Sequence, residues 1–132
     1  MGEIIKLVYP ENFNINNIYI SKDCESDLKD LLKGSGIDNK FISQFRQRLK
    51  FLESYGRNCI KKADWFEKLK NANDMYSMRF KLPKNIRIIF TIQCDKISIL
   101  LCSFDEKSDK VKGKNSYTQN IEIAMSRLKD LR

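Results

Sequence analysis

Three segments in the second half of the chain constrain its fold most. Residues 75–82 (MYSMRFKL), 86–93 (IRIIFTIQ) and 97–104 (ISILLCSF) are dense in β-branched and aromatic residues. Pro83-Lys84-Asn85 and Cys94-Asp95-Lys96 separate them. Short runs of this kind, divided by turn residues, predict an antiparallel three-strand meander. Side chains alternate between the two faces of a strand. Tyr76, Met78, Phe80 and Leu82 therefore share one side of the first strand, and Ser77, Arg79 and Lys81 the other. On the next strand Ile86, Ile88, Phe90 and Ile92 oppose Arg87, Ile89 and Thr91. A hairpin centred on Pro83 sets Arg79 directly across from Arg87. Like charges so placed destabilise a sheet. Either an anion-binding site or long side chains that splay apart would account for the pair.

The rest of the chain supplies helices and a further β contribution. Residues 3–9 and 17–21 are short strand candidates around an Asn-rich turn. Ser21 or Asp23 can cap a helix whose apolar residues Cys24, Leu28, Leu31 and Leu32 lie on one face, and Gly34-Ser35-Gly36 stops it. A second helix has Asp38 as N-cap, with Ile37 placed to staple onto Ile42. Its stripe is Phe41, Phe45, Leu49 and Leu52, and Gly56 ends it. These two helices read as an antiparallel hairpin. Residues 57–73 are polar and irregular, anchored by Trp65, Phe66 and Leu69. After a charged loop at 105–115, Ser116 starts a last helix, with Gln119 completing a capping box. Its apolar side is Ile121, Ala124, Met125 and Leu128. The expected fold class is α+β within a single domain, 1–132. The order is N-terminal strands, two-helix hairpin, three-strand meander and C-terminal helix.

The 132 residues are 42% hydrophobic and 32% charged, an ordinary globular mixture. No apolar run approaches the roughly 18 residues of a membrane span, and the start of the chain lacks the pattern of a signal peptide. Gly2 does not read as a myristoylation site, because Lys6 stands where Ser or Thr is required. A cytoplasmic protein without membrane contact is expected. The four cysteines show no CxxC spacing, and there is no histidine to complete a zinc site. They are expected to be free thiols in a reducing compartment. No metal and no cofactor is expected. Without histidine, any catalysis must use Lys, Arg, Tyr, Cys or a carboxylate.

Net charge is +8, and its distribution is uneven. Residues 1–56 carry 8 Lys/Arg and 8 Asp/Glu, residues 57–114 carry 14 and 7, and residues 115–132 carry 3 and 2. The middle of the chain thus holds nearly all the excess. That pattern fits a basic face for RNA or another polyanion. It also fits a lysine-rich solvated face.

At the level of motifs the chain resembles the RelE/ParE toxin superfamily, and within it the RelE/HigB-like members. LKNANDMYSMRFKLPKNIRIIFTI is similar to the family segment in which a leucine-rich approach leads to "LR" and then "YRI.Y" on the next strand. ISILLCSFDEKSDK resembles "I.LLHGF.KK", and SYTQNIEIAMSRLKDL resembles the closing helix, "TP..EI..A..R...". These blocks lie between Leu69 and Leu131. The resemblance implies a RelE-like fold and a cytoplasmic endoribonuclease that cuts mRNA in the ribosome. It also implies a cognate antitoxin as partner. By position Arg79 and Arg87 match the family's strand arginines, and Lys107 matches the second Lys of "F.KK". Tyr117 falls where catalytic aromatic residues occur in some relatives. Four positions depart from the pattern. Cys102 stands for His, Glu106 for the first Lys, and Ser116-Tyr117 for "TP".

A metal-free ribonuclease uses the substrate's own 2′-OH as nucleophile. Arg79 and Arg87 would clamp the phosphate and stabilise developing charge. Lys107 would hold a neighbouring phosphate or move a proton, and Tyr117 would stack on a base or supply a proton. Lys81, Lys84, Lys110 and Lys112 would contact the RNA backbone. Glu106 reads either as a base or as a solvated loop residue. Two alternatives remain open: a catalytically degenerate or ParE-like protein that binds a protein target such as gyrase, and a plain RNA-binding protein.

Overall fold

The structure, a computed structural model, describes residues 4–6, 15–33, 38–70, 74–81, 85–94, 97–105 and 116–131. Its strands are β1 (Ile4–Lys6), β2 (Ile18–Ser21), β3 (Phe66–Lys68), β4 (Met75–Arg79), β5 (Ile86–Gln93) and β6 (Ile97–Asp105). Its α-helices are α1 (Lys22–Leu32), α2 (Asp38–Tyr55) and α3 (Ser116–Asp130), and a 3-10 helix spans Gly56–Lys61. The arrangement is α+β.

The expected meander forms. β4 pairs antiparallel with β5, and β5 antiparallel with β6. It is the middle of a wider mixed sheet, ordered β1-β2-β6-β5-β4-β3. β2 lies parallel to β6, which requires the crossover that α1, α2 and the meander supply. β3 was not foreseen. Residues 57–73 looked irregular because Phe66–Lys68 is too short to alternate legibly. As an edge strand it buries Phe66 and leaves Glu67 and Lys68 exposed.

The strand alternation places helices on both faces of the sheet. One face meets Cys24, Leu28 and Leu32 of α1 and Phe41, Phe45, Leu49 and Leu52 of α2, packed with Met78, Phe80, Ile88 and Phe90. The Phe41 and Phe80 rings meet at a tilt, their centres 4.6 Å apart. Each such phenylalanine contributes about 1.5–3 kcal/mol by leaving water. α1 packs on β6 and β2, whereas the nearest backbone to α2 is the 3-10 helix. Both helices of the expected hairpin lie over one core, and residues 34–37, which would join them, lie outside the described residues.

The opposite face meets α3. Ala124 is buried there, with Tyr117, Ile121 and Leu128 against Ile89, Cys102 and Phe104. Met125, expected on this apolar side, is 48% exposed. The stripe runs Tyr117, Ile121, Ala124, Leu128, and the next residue after Ala124 is turned about 100° away from it.

Local signals explain the helix ends that are described. The Ser21 hydroxyl accepts from Cys24 N at 3.0 Å and caps α1, a bond worth about 1 kcal/mol. α2 ends where Gly56 takes φ 53°, a value that costs other residues steric strain. Gly34–Ile37, the Asp38 side chain and the Ser116 side chain, on which other expected caps rest, lie outside the described residues.

Candidate nucleic-acid interface

The register sets Arg79 directly opposite Arg87, and Arg87 opposite Phe104. A row Arg79–Arg87–Phe104 thus crosses β4, β5 and β6 on the α3 side of the sheet. The next row is Ser77–Ile89–Cys102. Tyr117, in the first turn of α3, spans it. Its hydroxyl lies 2.8 Å from Ser77 Oγ, and its ring meets Phe104 edge-on at 5.3 Å. Arg79, Arg87 and Tyr117 are therefore neighbours on one surface, although 38 positions separate the first from the last.

The two cations resolve their repulsion by diverging. Phe80 N donates to Ile86 O at 2.9 Å, so the arginines occupy the adjoining non-hydrogen-bonded position, where side chains stand closest. Arg79 turns outward to the edge. Its Nη1 meets Glu67 Oε1 at 3.3 Å, and its Nη2 donates to Ala63 O at 3.2 Å. Arg87 turns toward the hairpin end, where Nη1 donates to Phe80 O at 2.8 Å and to Ile86 O at 3.2 Å. Only 8% of Arg87 is exposed. The side chains splay apart, and each meets protein acceptors. Arg79 Nε is buried with no hydrogen-bond partner among the described residues. The Arg79 guanidinium is also the more accessible of the two, and its carboxylate partner Glu67 is half exposed.

Lys81 lies elsewhere than expected. Alternation put it beside Ser77 and Arg79, but β4 ends at Arg79, two residues before it. Exposed Lys81 instead lines a cleft with α2. Lys84, Glu106, Lys107, Lys110 and Lys112 lie outside the described residues.

Cys102 faces the same layer as Tyr117. Its thiol donates to Asn120 Oδ1 at 3.1 Å. Burial, with Asp27 adding to it, pushes its pKa up to about 12. A thiol so protonated is a packing group and does not replace the histidine of the motif as a neutral-pH proton carrier.

One cation of consequence was missed. Arg48 of α2 is 7% exposed. Its Nε donates to Arg79 O at 2.8 Å, and its guanidinium lies 4.5 Å from the Phe80 ring centre and 4.7 Å from that of Trp65. The sequence carried a signal for it. Phe41, Phe45, Arg48, Leu49 and Leu52 all fall on one helical stripe, so the arginine occupies a core position. Beside it opens a cleft of about 410 Å³ lined by Gln44, Gln47, Arg48, Asp64, Trp65 and Lys81.

Among the described residues no group of His, Cys, Asp and Glu is arranged to hold a metal ion, and no helix is long and apolar enough to cross a membrane. Compared with known protein families, with curated proteins and with solved structures, the chain matches none.

Proposed function

We propose that this chain is a RelE-like toxin of a type II toxin–antitoxin system, a metal-independent endoribonuclease that cleaves mRNA in the ribosome and so inhibits translation. The observation that carries the reading is the convergence of Arg79, Arg87 and Tyr117 on one face of the sheet. They are the residues that the motif resemblance marks for RNA chemistry.

The roles follow from the contacts. The Arg79–Glu67 ion pair is partly solvated, and such pairs are worth about 0–1 kcal/mol. An RNA phosphate displaces Glu67 at little cost and gains a charge-assisted bond. Arg87 keeps the hairpin end in place through its two carbonyl bonds and adds positive potential beneath that phosphate. The Tyr117 hydroxyl, now on Ser77, is the proton-bearing group of the set. Lys107 supplies further charge from the following segment. A cognate antitoxin, carrying an acidic or amphipathic segment, covers this face and blocks access.

Primer extension on cellular mRNA after induction tests the reading. The wild type is expected to arrest growth and to generate new cleavage ends, while folded Arg87→Ala and Tyr117→Phe variants lose both. Absence of growth arrest and of cleavage with wild-type protein would sink the proposal. A second reading, a non-catalytic toxin that binds a protein such as gyrase, draws on the commitment of Arg87 to internal carbonyls. Inhibition of gyrase supercoiling without RNA scission would select it.

A further inference from the structure

We propose that the cleft beside Arg48 is a phosphoryl-binding site, separate from the Arg79–Arg87 row and shaped for a nucleoside phosphate. Arg48 supplies the first reason. Its side chain is more than nine-tenths buried, yet its partners among the described residues are all uncharged: the carbonyls of Arg79 and Gln44 at 2.8 and 3.4 Å and the rings of Phe80 and Trp65. Among the described residues its hydrogen bonds go to two backbone carbonyls, and no carboxylate forms an ion pair with it. A guanidinium withdrawn from water without a counter-ion is costly, and carbonyls and ring faces recover only part of that cost. Burial correspondingly lowers its pKa to about 10. An anion in the cleft that Arg48 lines completes its coordination.

The cleft's composition gives the ligand class. Exposed Lys81 adds a second cation, and Asp64 is the single carboxylate, so the lining carries a net charge of +1. Gln44 and Gln47 offer amide donors and acceptors suited to a sugar or base edge. The volume, about 410 Å³, exceeds what inorganic phosphate fills and falls in the range of small-molecule sites. Planar guanidinium groups favour phosphate through paired N–H donors. The same chemistry is offered by a free mononucleotide and by one nucleotide of an RNA strand.

Trp65 is the only tryptophan and lines the cleft, so its emission reports occupancy. The titrants are sodium phosphate, AMP and a short single-stranded RNA, with acetate as control, all at constant ionic strength. A saturating change is expected with the phosphate-bearing ligands and none with acetate. Lys81→Ala is expected to weaken binding roughly two- to fivefold, and Asp64→Asn to strengthen it by a similar factor. Arg48→Met should weaken it by about tenfold or more. Circular dichroism checks that each variant folds, and if Arg48→Met does not, the other two decide. Tighter binding of AMP than of RNA assigns a free nucleotide, and the reverse assigns an RNA strand. Absence of saturation with every phosphate ligand overturns the proposal. So does an equal response to acetate, or saturation that Lys81→Ala and Asp64→Asn leave unaltered. RNA scission is read in parallel. A protein that binds phosphate but cuts no RNA keeps the cleft and loses the ribonuclease reading, and the converse result does the opposite.

Discussion

Cys94 is exposed at the turn after β5, while Cys24, Cys59 and Cys102 are buried. Desolvation raises the pKa of all three buried thiols, that of Cys59 and of Cys102 to about 12. Only a thiolate attacks a disulfide reagent. At pH 8 one thiol is expected to react quickly with such a reagent, and the other three only after urea unfolding. Four fast thiols in the native protein would contradict the packing. The same shifts set a pH dependence. A thiol in the unfolded chain ionises near about 8.5, so between there and about 12 the folded state holds more protons than the unfolded one. Stability is then full below that window and falls as pH rises through it. Urea midpoints measured from pH 8 to 11 should decline steadily. Gly56 is the other residue with a specific demand placed on it, because it ends α2 at φ 53°. Gly56→Ala is expected to lose about 1–2 kcal/mol in urea unfolding.

At the scale of elements, β6 carries an edge that β2 only half covers. β2 pairs with Ser98, Ile99 and Leu100, and at Ser21 the chain turns away into α1. Beyond that point, among the described residues, side chains take the place of a strand partner. Asp27 of α1 accepts from Ser103 N at 3.2 Å, and Arg127 of α3 donates to Leu101 O at 2.8 Å. Asp27 and Arg127 join each other at 2.7 Å, which ties the two helices across the strand. Burial alone would depress the Arg127 pKa, but the Asp27 hydrogen bond and charge outweigh it and raise it. The sheet also bulges here, because Ile89 pairs with Cys102 and Phe90 with Leu100, leaving Leu101 without a cross-strand residue. Asp27→Asn is expected to cost about 1.5–3 kcal/mol, read as a lower urea midpoint. A double-mutant cycle with Arg127→Met should show that much of the loss is shared. Independent, additive losses would mean that the two side chains serve β6 separately.

For the whole molecule, the sheet divides two apolar layers, and charge gathers beyond its β4 end. Arg79 meets Glu67 and the Ala63 carbonyl, and the adjacent Asp64 and Trp65 line the Arg48–Lys81 cleft. A polyanion that meets this end is held mainly by phosphate contacts, each of which releases counter-ions. With three to five such contacts, the logarithm of RNA affinity should fall against the logarithm of salt with a slope of about −2 to −3.5. Filter binding across a salt series measures it. A flat profile would remove RNA as the ligand of this surface, whether or not the chain is toxic.

The sequence by itself determined the meander, the helix stripes apart from Met125, and the facing of Arg79 and Arg87. Each depends on local information: the period of burial along one strand or helix, and the short spacing between the two strands, which the register Arg79 opposite Arg87 matches. Tertiary structure decided where those arginines point, because their partners Glu67, Ala63 and Phe80 are supplied by an edge strand, a turn and a hairpin end whose positions no periodicity encodes. It also decided the place of Lys81, which lies beyond the end of β4 and lines the cleft with α2, and the parallel pairing of β2 with β6, which joins segments about 80 residues apart. Arg48 stands between the two cases. Its stripe announced burial, but only the meeting of α2 with Trp65 and Phe80 made it a cation facing a cleft.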